Sequence, residues 1–301
     1  MSTLLSEPVT VRAPASSANL GPGFDACGLA LDVYDEVTAR VTGDAAGVRV
    51  EVAGEGAGAL PADERHLVVR SLYAGLDALG VRPPGLAVRC RNAIPQARGM
   101  GSSSAAIVAG LVLARALVAG GARRWPDAAL LRLASEIEGH PDNVAACLLG
   151  GLTIAWTEAD GARAVRLTPH PELQPVVYVP TGQGLTAHAR AALPAAVPHR
   201  DAAFAAGRAA LLVHALTERP ELAFAATEDR LHQPYRAAGM PDTAALVGRL
   251  RAAGVAAVVS GAGPSVLALS PVPPAAEPGP EWKRLECAVA AGAAPVPDSA
   301  G

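Results

Sequence analysis

Gly99-Met100-Gly101-Ser102-Ser103-Ser104 sets two glycines ahead of three hydroxyls at the mouth of a long apolar run. Glycines let a backbone come close to a ligand and leave N–H groups free, and a helix N-terminus favours an anion. The serine hydroxyls can donate to phosphate oxygens or ligate a divalent cation. Read alone, the same six residues are equally a flexible turn with a serine N-cap. They are not a Walker A loop, because no G-x-x-x-x-G-K-[ST] occurs and the single lysine, Lys283, lies near the chain end. The protein-kinase signature set is not present either: His199-Arg200-Asp201 lacks the asparagine that completes the catalytic-loop motif, and D-F-G is absent.

Three further stretches carry polar residues at unusual density. Pro14–Leu31, "PASSANLGPGFDACGLAL", puts Ser16, Ser17, Asn19 and Asp25 into a Gly/Pro-rich turn between two strands. Glu136–Asn143, "EIEGHPDN", ends a helix on two acids, Glu136 and Glu138, where the dipole disfavours them. Read alone the two acids are a solvated face, and their place at a helix end adds a small argument for a use such as metal coordination. Ser260–Ser265, "SGAGPS", is a tight glycine loop between two short strands.

The elements that must position these stretches are readable from periodicity. Val9–Ala13, Ala30–Thr42 and Val48–Val52 ("VRVEV") alternate as strands, and Leu86–Arg91 is a fourth. Arg65–Leu79 has helical spacing, and the run from the serines to Leu117 is apolar nearly all round, hence buried on several sides. Pro126–Glu138 and Asp142–Leu149 read as helices, followed by strand Leu152–Trp156 and an exposed hairpin or loop at "TEADGARA". Beyond it come strand Val176–Val179, helices over 202–216, 222–227 and 243–252, strands at 256–259 and 266–269, a Pro-rich connection over 270–280, and a final edge strand over 285–289. The pattern is α+β in two lobes, divided as 1–160 and 161–301.

Composition narrows the chemistry further. Half of the 301 residues are hydrophobic but only 3% are aromatic, so the core must be built from Ala, Val and Leu. A net charge of −3 without a Lys/Arg cluster argues against a nucleic-acid surface. Four scattered cysteines form no C-x-x-C pair and read as reduced, buried small side chains. Met1–Pro8 lacks the charged start and apolar stretch of a signal peptide, and no run is long enough to span a bilayer, so no membrane partner and a cytoplasmic location are expected.

The order "PASSANLGPGFD", "PQARGMGSSSAA", "SGAGPS" resembles the three motifs of the galactokinase, homoserine kinase, mevalonate kinase and phosphomevalonate kinase (GHMP) superfamily. Within it, "PASSANLGPGFDACGLAL" with "EGHPDNVAACLLGGL" is similar to the homoserine kinases, and the likeness runs from Val9 to about Val289. The resemblance implies a two-lobed fold, with an N-terminal mixed α/β nucleotide-binding lobe and a C-terminal ferredoxin-like α+β lobe. It also implies ATP-dependent phosphorylation of the side-chain hydroxyl of L-homoserine on the route to threonine, with MgATP as co-substrate and a homodimer as the assembly. Pro95 and Arg98 to Ser104 (Arg98, Gly99, Met100, Gly101, Ser102, Ser103, Ser104) would hold ATP. Ser103 and Glu136 would hold Mg²⁺. Asn19, Asp25, His140, Asn143, Thr186, Arg190 and Arg236 would line the amino-acid pocket, with Asn19, Asp25 and Asn143 nearest the reaction.

Physical chemistry agrees with that assignment. Homoserine carries a carboxylate that a guanidinium can hold bidentately and an ammonium that Asp25 can pair. Some relatives use an Asp–Lys pair at the acceptor hydroxyl, but Lys283 sits too late in the chain for that role, so no dedicated base is expected. Two other readings remain at this point: a superfamily kinase with another acceptor, such as mevalonate, and a nucleotide-binding regulator without activity. Met100 stands where the motif usually has leucine, and the tail after "SGAGPSVLAL" is short and Pro-rich.

Overall fold

The computed structural model describes residues 3–43, 47–184 and 186–297, leaving the Thr186 side chain outside the description. Its elements run β1 (Val9–Ala18), β2 (Cys27–Thr42), β3 (Gly47–Gly54), α1 (Leu67–Ala78), β4 (Gly85–Asn92), α2 (Ser102–Leu117), α3 (Gly121–Arg124), α4 (Asp127–Glu138), α5 (Asp142–Leu149), β5 (Leu152–Glu158) and β6 (Gly161–Leu167). They continue with β7 (Val176–Pro180), α6 (Thr186–Ala191), α7 (His199–Thr217), α8 (Ala223–Ala226), α9 (Gln233–Arg236), α10 (Pro241–Ala252), β8 (Ala257–Val259), β9 (Val266–Ala268), β10 (Trp282–Glu286) and β11 (Ala294–Pro295).

The first sheet has the order β11-β1-β2-β4-β3, with β5 and β6 attached to the far end of β2. All its pairs are antiparallel except β3–β4. The sixteen-residue β2 organises it, pairing β1 along one edge, and β4 and β5 in succession along the other. In β3 the alternation of "VRVEV" shows in burial, with Val50 inside and Arg49 and Glu51 exposed. Helix α2 packs on β1 and is enclosed by α1, α4 and α5, which explains its lack of a polar face. Leu111 and Leu113 are fully buried, each contributing roughly 2 kcal/mol relative to exposure. Gly110 lets α1 come close: a Cβ there would lie 2.5 Å from the Val68 carbonyl oxygen.

The second sheet has the antiparallel order β10-β7-β9-β8. Counted within this lobe, that is the 4-1-3-2 order of a ferredoxin-like sheet, with a short helical turn at Pro274–Ala276 between its last two strands. Strands β7, β8 and β9 are buried on both faces, while the edge strand β10 is largely exposed. Val176, Tyr178, Ala257 and Val266 point to a small core under α10, while Val177, Val179, Val258 and Leu267 join the main core.

Two sequence boundaries move. A division at residue 160 would cut the β5–β6 hairpin, since β6 pairs with β5 over its whole length and belongs to the first sheet. That sheet also receives the terminal β11 beside β1, a strand too short to show periodicity. The last strand of the second sheet lies at Trp282–Glu286 rather than 285–289, as an edge strand on β7. Among the described residues no helix is long and apolar enough to cross a membrane.

Candidate active site

Gly99 and Gly101 take positive φ (73° and 69°), turning the chain from β4 into α2 so that the helix begins at Ser102. A Cβ on Gly101 would stand 2.1 Å from Ser16 Oγ, whose hydroxyl donates to Asn143 Oδ1 at 2.9 Å. The loop is thereby wedged between β1 and the first turn of α5. Ser260 holds it from the other side. The Gly99 carbonyl can only accept, so the Ser260 hydroxyl donates to it at 2.6 Å and accepts from Ser17 Oγ at 2.8 Å.

One cavity of about 400 Å³ opens at this loop. Of the residues expected to hold ATP, Arg98, Gly99, Gly101, Ser102 and Ser103 line it, while Pro95, Met100 and Ser104 do not. Met100 is fully buried core, and Ser104 turns its hydroxyl to Glu138. Arg98 lines the wall but donates to the carbonyls of Gln96, Pro180 and Thr181 at 2.8–2.9 Å. Its guanidinium ties the loop to the end of β7.

The structure corrects the acidic partner. Ser103 and Ser104 hydroxyls donate to Glu138 Oε1 at 2.6 and 2.8 Å, and Glu138 lines the cavity. Glu136 is exposed and outside it. Two residues apart on a helix point to nearly opposite sides, so only one could face the serines. Glu138 continues the buried positions Leu131 and Ala134 of α4, a phase already present in the sequence. Beyond it, Asp142 is buried and accepts from His140 Nδ1–H at 2.6 Å and from the Asn143 backbone N–H at 2.7 Å. That bond raises the pKa of His140. Sequence reasoning named His140 and Asn143 but missed Asp142 between them.

At the other end of the cavity lie Asn19, Asp25, Arg190 and Arg236. Asp25 and Arg190 form a two-bond ion pair, both bonds 2.8 Å, so Asp25 meets an arginine where a substrate ammonium was expected. The Asn19 amide bridges its own loop to the second lobe, accepting from the Asp25 N–H at 2.9 Å and donating to the Gly261 carbonyl at 2.8 Å. Arg236 is 3% exposed and donates to the Ala189 carbonyl. The Thr186 side chain lies outside the described residues. Non-glycine residues with positive φ occur at Asn19, Leu20, Asp25 and Ala97 (71°, 48°, 54° and 54°), of which Asn19, Asp25 and Ala97 line this cavity. Strain of this kind collects where a binding site over-determines the backbone.

The third arm of the cavity is apolar, walled by Leu60, Pro61, Leu67, Val68 and Ala106, with His66 and Asp35 at its floor. His66 caps α1 through Nδ1, its Nε2 is buried without a partner among the described residues, and burial lowers its pKa. Asp35 accepts from the N–H groups of Ala93 and Ile94, yet burial outweighs those bonds and pushes its pKa up to about 6. Neither residue belongs to the four stretches singled out in the sequence, and only the folded chain brings them to the cavity.

Comparison with known proteins places this geometry. The family model described as GHMP kinases N terminal domain matches residues 66–151, and that described as GHMP kinases C terminal matches residues 203–278. Homoserine kinase of Streptomyces coelicolor is 61% identical over 262 residues, 87% of this chain and 84% of the relative. That of Mycolicibacterium smegmatis is 53% identical over 264 residues, 85% and 83% of the two chains. The crystal structure of homoserine kinase from Cytophaga hutchinsonii superposes with a TM-score of 0.83 at 28% identity, covering 98% of this chain and 99% of that one. With both halves of the signature matched and the glycine–serine loop, the "EGHPDN" turn and the paired arginines assembled at one cavity, the chain belongs to the GHMP kinase family, among its homoserine kinases.

Proposed function

We propose that this protein transfers the γ-phosphoryl group of ATP to the side-chain hydroxyl of L-homoserine, giving O-phospho-L-homoserine for threonine synthesis. The observation that carries the acceptor assignment is the convergence of two guanidinium groups. Arg190 and Arg236 line the cavity together; Asp25 pairs directly with Arg190, and Asp142 and Asp229 also offset Arg236 electrostatically. A small carboxylate suits this arrangement, held by guanidinium groups as planar forks hold carboxylates. On binding, that carboxylate would share Arg190 with Asp25 and free Asp25 for the substrate ammonium.

The nucleotide's phosphates would lie along Gly99–Ser103 at the N-terminus of α2, and its base in the apolar arm near Val68. The donor set at the loop is hard and all-oxygen, one carboxylate and two hydroxyls. Among the described residues no three His, Cys, Asp or Glu side chains form a cage. This fits Mg²⁺, which takes one or two carboxylates and completes its shell with substrate phosphates and water. Glu138 and Ser103 would hold it, and when bound it neutralises charge developing on the phosphates.

The carboxylates at the cavity are each engaged: Asp25 by Arg190, Asp142 by His140, Glu138 by the serines and Asp35 by backbone N–H groups. We therefore assign no dedicated base. Asn19 keeps one amide hydrogen and one lone pair with which to orient the acceptor hydroxyl. Its proton leaves late, to the phosphoryl group itself, and positioning carries the rate. A pH–rate profile with one essential base, abolished by a single Asp or His substitution, would contradict this. The homodimer and cytoplasmic location of the sequence reading remain part of the proposal. ADP release measured with L-homoserine against L-threonine, L-serine and mevalonate tests the whole; turnover on mevalonate but not homoserine would refute the acceptor.

A further inference from the structure

His232 belongs to none of the three signature motifs, is completely buried, and touches both halves of the acceptor pocket. Its Nε2 lies 2.9 Å from the Gly21 carbonyl, in the loop that carries Asn19 and Asp25. Its Nδ1 lies 3.1 Å from Arg236 Nη1. The chemistry of the two partners fixes the proton. A carbonyl only accepts, so Nε2 carries the hydrogen; a guanidinium only donates, so Nδ1 must be bare. Both contacts are satisfied only by the neutral Nε2–H tautomer.

The surroundings hold that state. Burial lowers the histidine's pKa, with Arg236 adding to the effect. Asp229 lies 3.4 Å from Nε2 and would favour a charged ring, but its carboxylate already accepts from the N–H groups of Leu231, His232 and Gln233 and from Gln233 Nε2. Phe24 stacks on the imidazole with ring centroids 5.1 Å apart, and the Arg236 guanidinium lies 5.3 Å from the same ring. Apart from this histidine, the Arg236 guanidinium has, among the described residues, one ordinary bond, to Ala189 on α6, and a long one of 3.5 Å to Gly261.

We propose that His232 is a positioning residue for the acceptor: its bare Nδ1 aims Arg236 into the cavity while its Nε2–H pins the Gly21 loop, keeping arginine and loop in one register. The inference rests on the acceptor assignment above. It gives a reason for a histidine here that a buried filler would not.

Two substitutions separate the two contacts. Glutamine places a donor near the Nε2 position but offers Arg236 no acceptor at Nδ1; asparagine does the reverse. His232→Gln is expected to raise KM for L-homoserine at least about tenfold, the loss of one hydrogen bond to a charged group, with KM for ATP and the melting temperature near those of the unaltered enzyme. His232→Asn should raise KM for homoserine several-fold less. In an Arg236→Ala background, His232→Gln should lower kcat/KM for homoserine no further. An unchanged KM for homoserine in His232→Gln, a parallel rise in both Michaelis constants, or a full effect persisting without Arg236 would overturn the role. Nitrogen-15 NMR of the imidazole in the unaltered protein needs no variant to fold: a protonated Nδ1 at neutral pH would overturn it too. If the unaltered protein does not turn over homoserine, the acceptor assignment has failed; if it does and His232→Gln behaves like it, only the role of His232 has.

Discussion

Replacing Glu138 by glutamine keeps the length of the side chain and its carbonyl oxygen but removes the charge. Two hydroxyls donate to that oxygen, at 2.6 and 2.8 Å, and the side chain is 9% exposed, so solvent screens it little. A hydrogen bond to a charged acceptor is worth about 1.5–3 kcal/mol against about 0.5–1.5 for a neutral one, so each contact loses roughly 1 kcal/mol. Together that is about 2 kcal/mol of loop positioning, equivalent to about 30-fold in kcat/KM for MgATP. Loss of a carboxylate for the cation adds to it and should raise the Mg²⁺ concentration needed for half-maximal rate. Initial rates at saturating homoserine, with MgATP and free Mg²⁺ varied separately, read both effects. Glu136→Gln is the matched control, since that side chain is exposed and off the cavity; it should stay within about twofold, as surface substitutions do. Equal losses in the two variants, or a Glu138→Gln enzyme with unchanged nucleotide and Mg²⁺ dependence, would refute the reasoning.

Arg190→Ala and Arg236→Ala should each raise KM for homoserine roughly ten- to a hundredfold while KM for ATP moves little; equal effects on both substrates in steady-state kinetics would make the arginines structural. Gly101→Ala forces an L-residue to φ 69° and a Cβ to within 2.1 Å of Ser16 Oγ. It should cost at least about 1–2 kcal/mol in denaturant stability along with activity, whereas Gly207→Ala, in open space on α7, should stabilise by about 0.5–1 kcal/mol. Asp35 binds its proton more tightly folded (pKa about 6) than unfolded (3.8), so its contribution to stability is full below pH 3.8 and is lost as pH rises through about 6. Asp35→Asn keeps an oxygen for the Ala93 and Ile94 N–H groups and should gain up to about 3 kcal/mol in urea at pH 8, shrinking to nothing by pH 4; a pH-independent difference would exclude the charge as the cause.

Local signals carried much of this protein in the sequence. The glycine–serine loop, the apolar run of α2 and the alternation of β3 depend on neighbours a few residues apart, and each lies where its pattern requires. Family identity was legible for the same reason, since its motifs are contiguous strings. The phase of α4 was legible too: extending its buried positions by one turn leads to Glu138, not Glu136. What the order of residues did not contain is which distant groups meet. Asp25 finds Arg190 across 165 positions, Ser260 finds Gly99 across 161 and His232 finds Gly21 across 211. Those contacts are set by how the second sheet docks against the first, a property of packed surfaces with no period of its own. Residue order accounts for most of the elements, the glycine–serine loop and the family. It took folding to make Arg98 a strut, to pair Asp25 with an arginine and to seat a buried histidine against the Gly21 loop, because each is a choice of partner made across the two lobes.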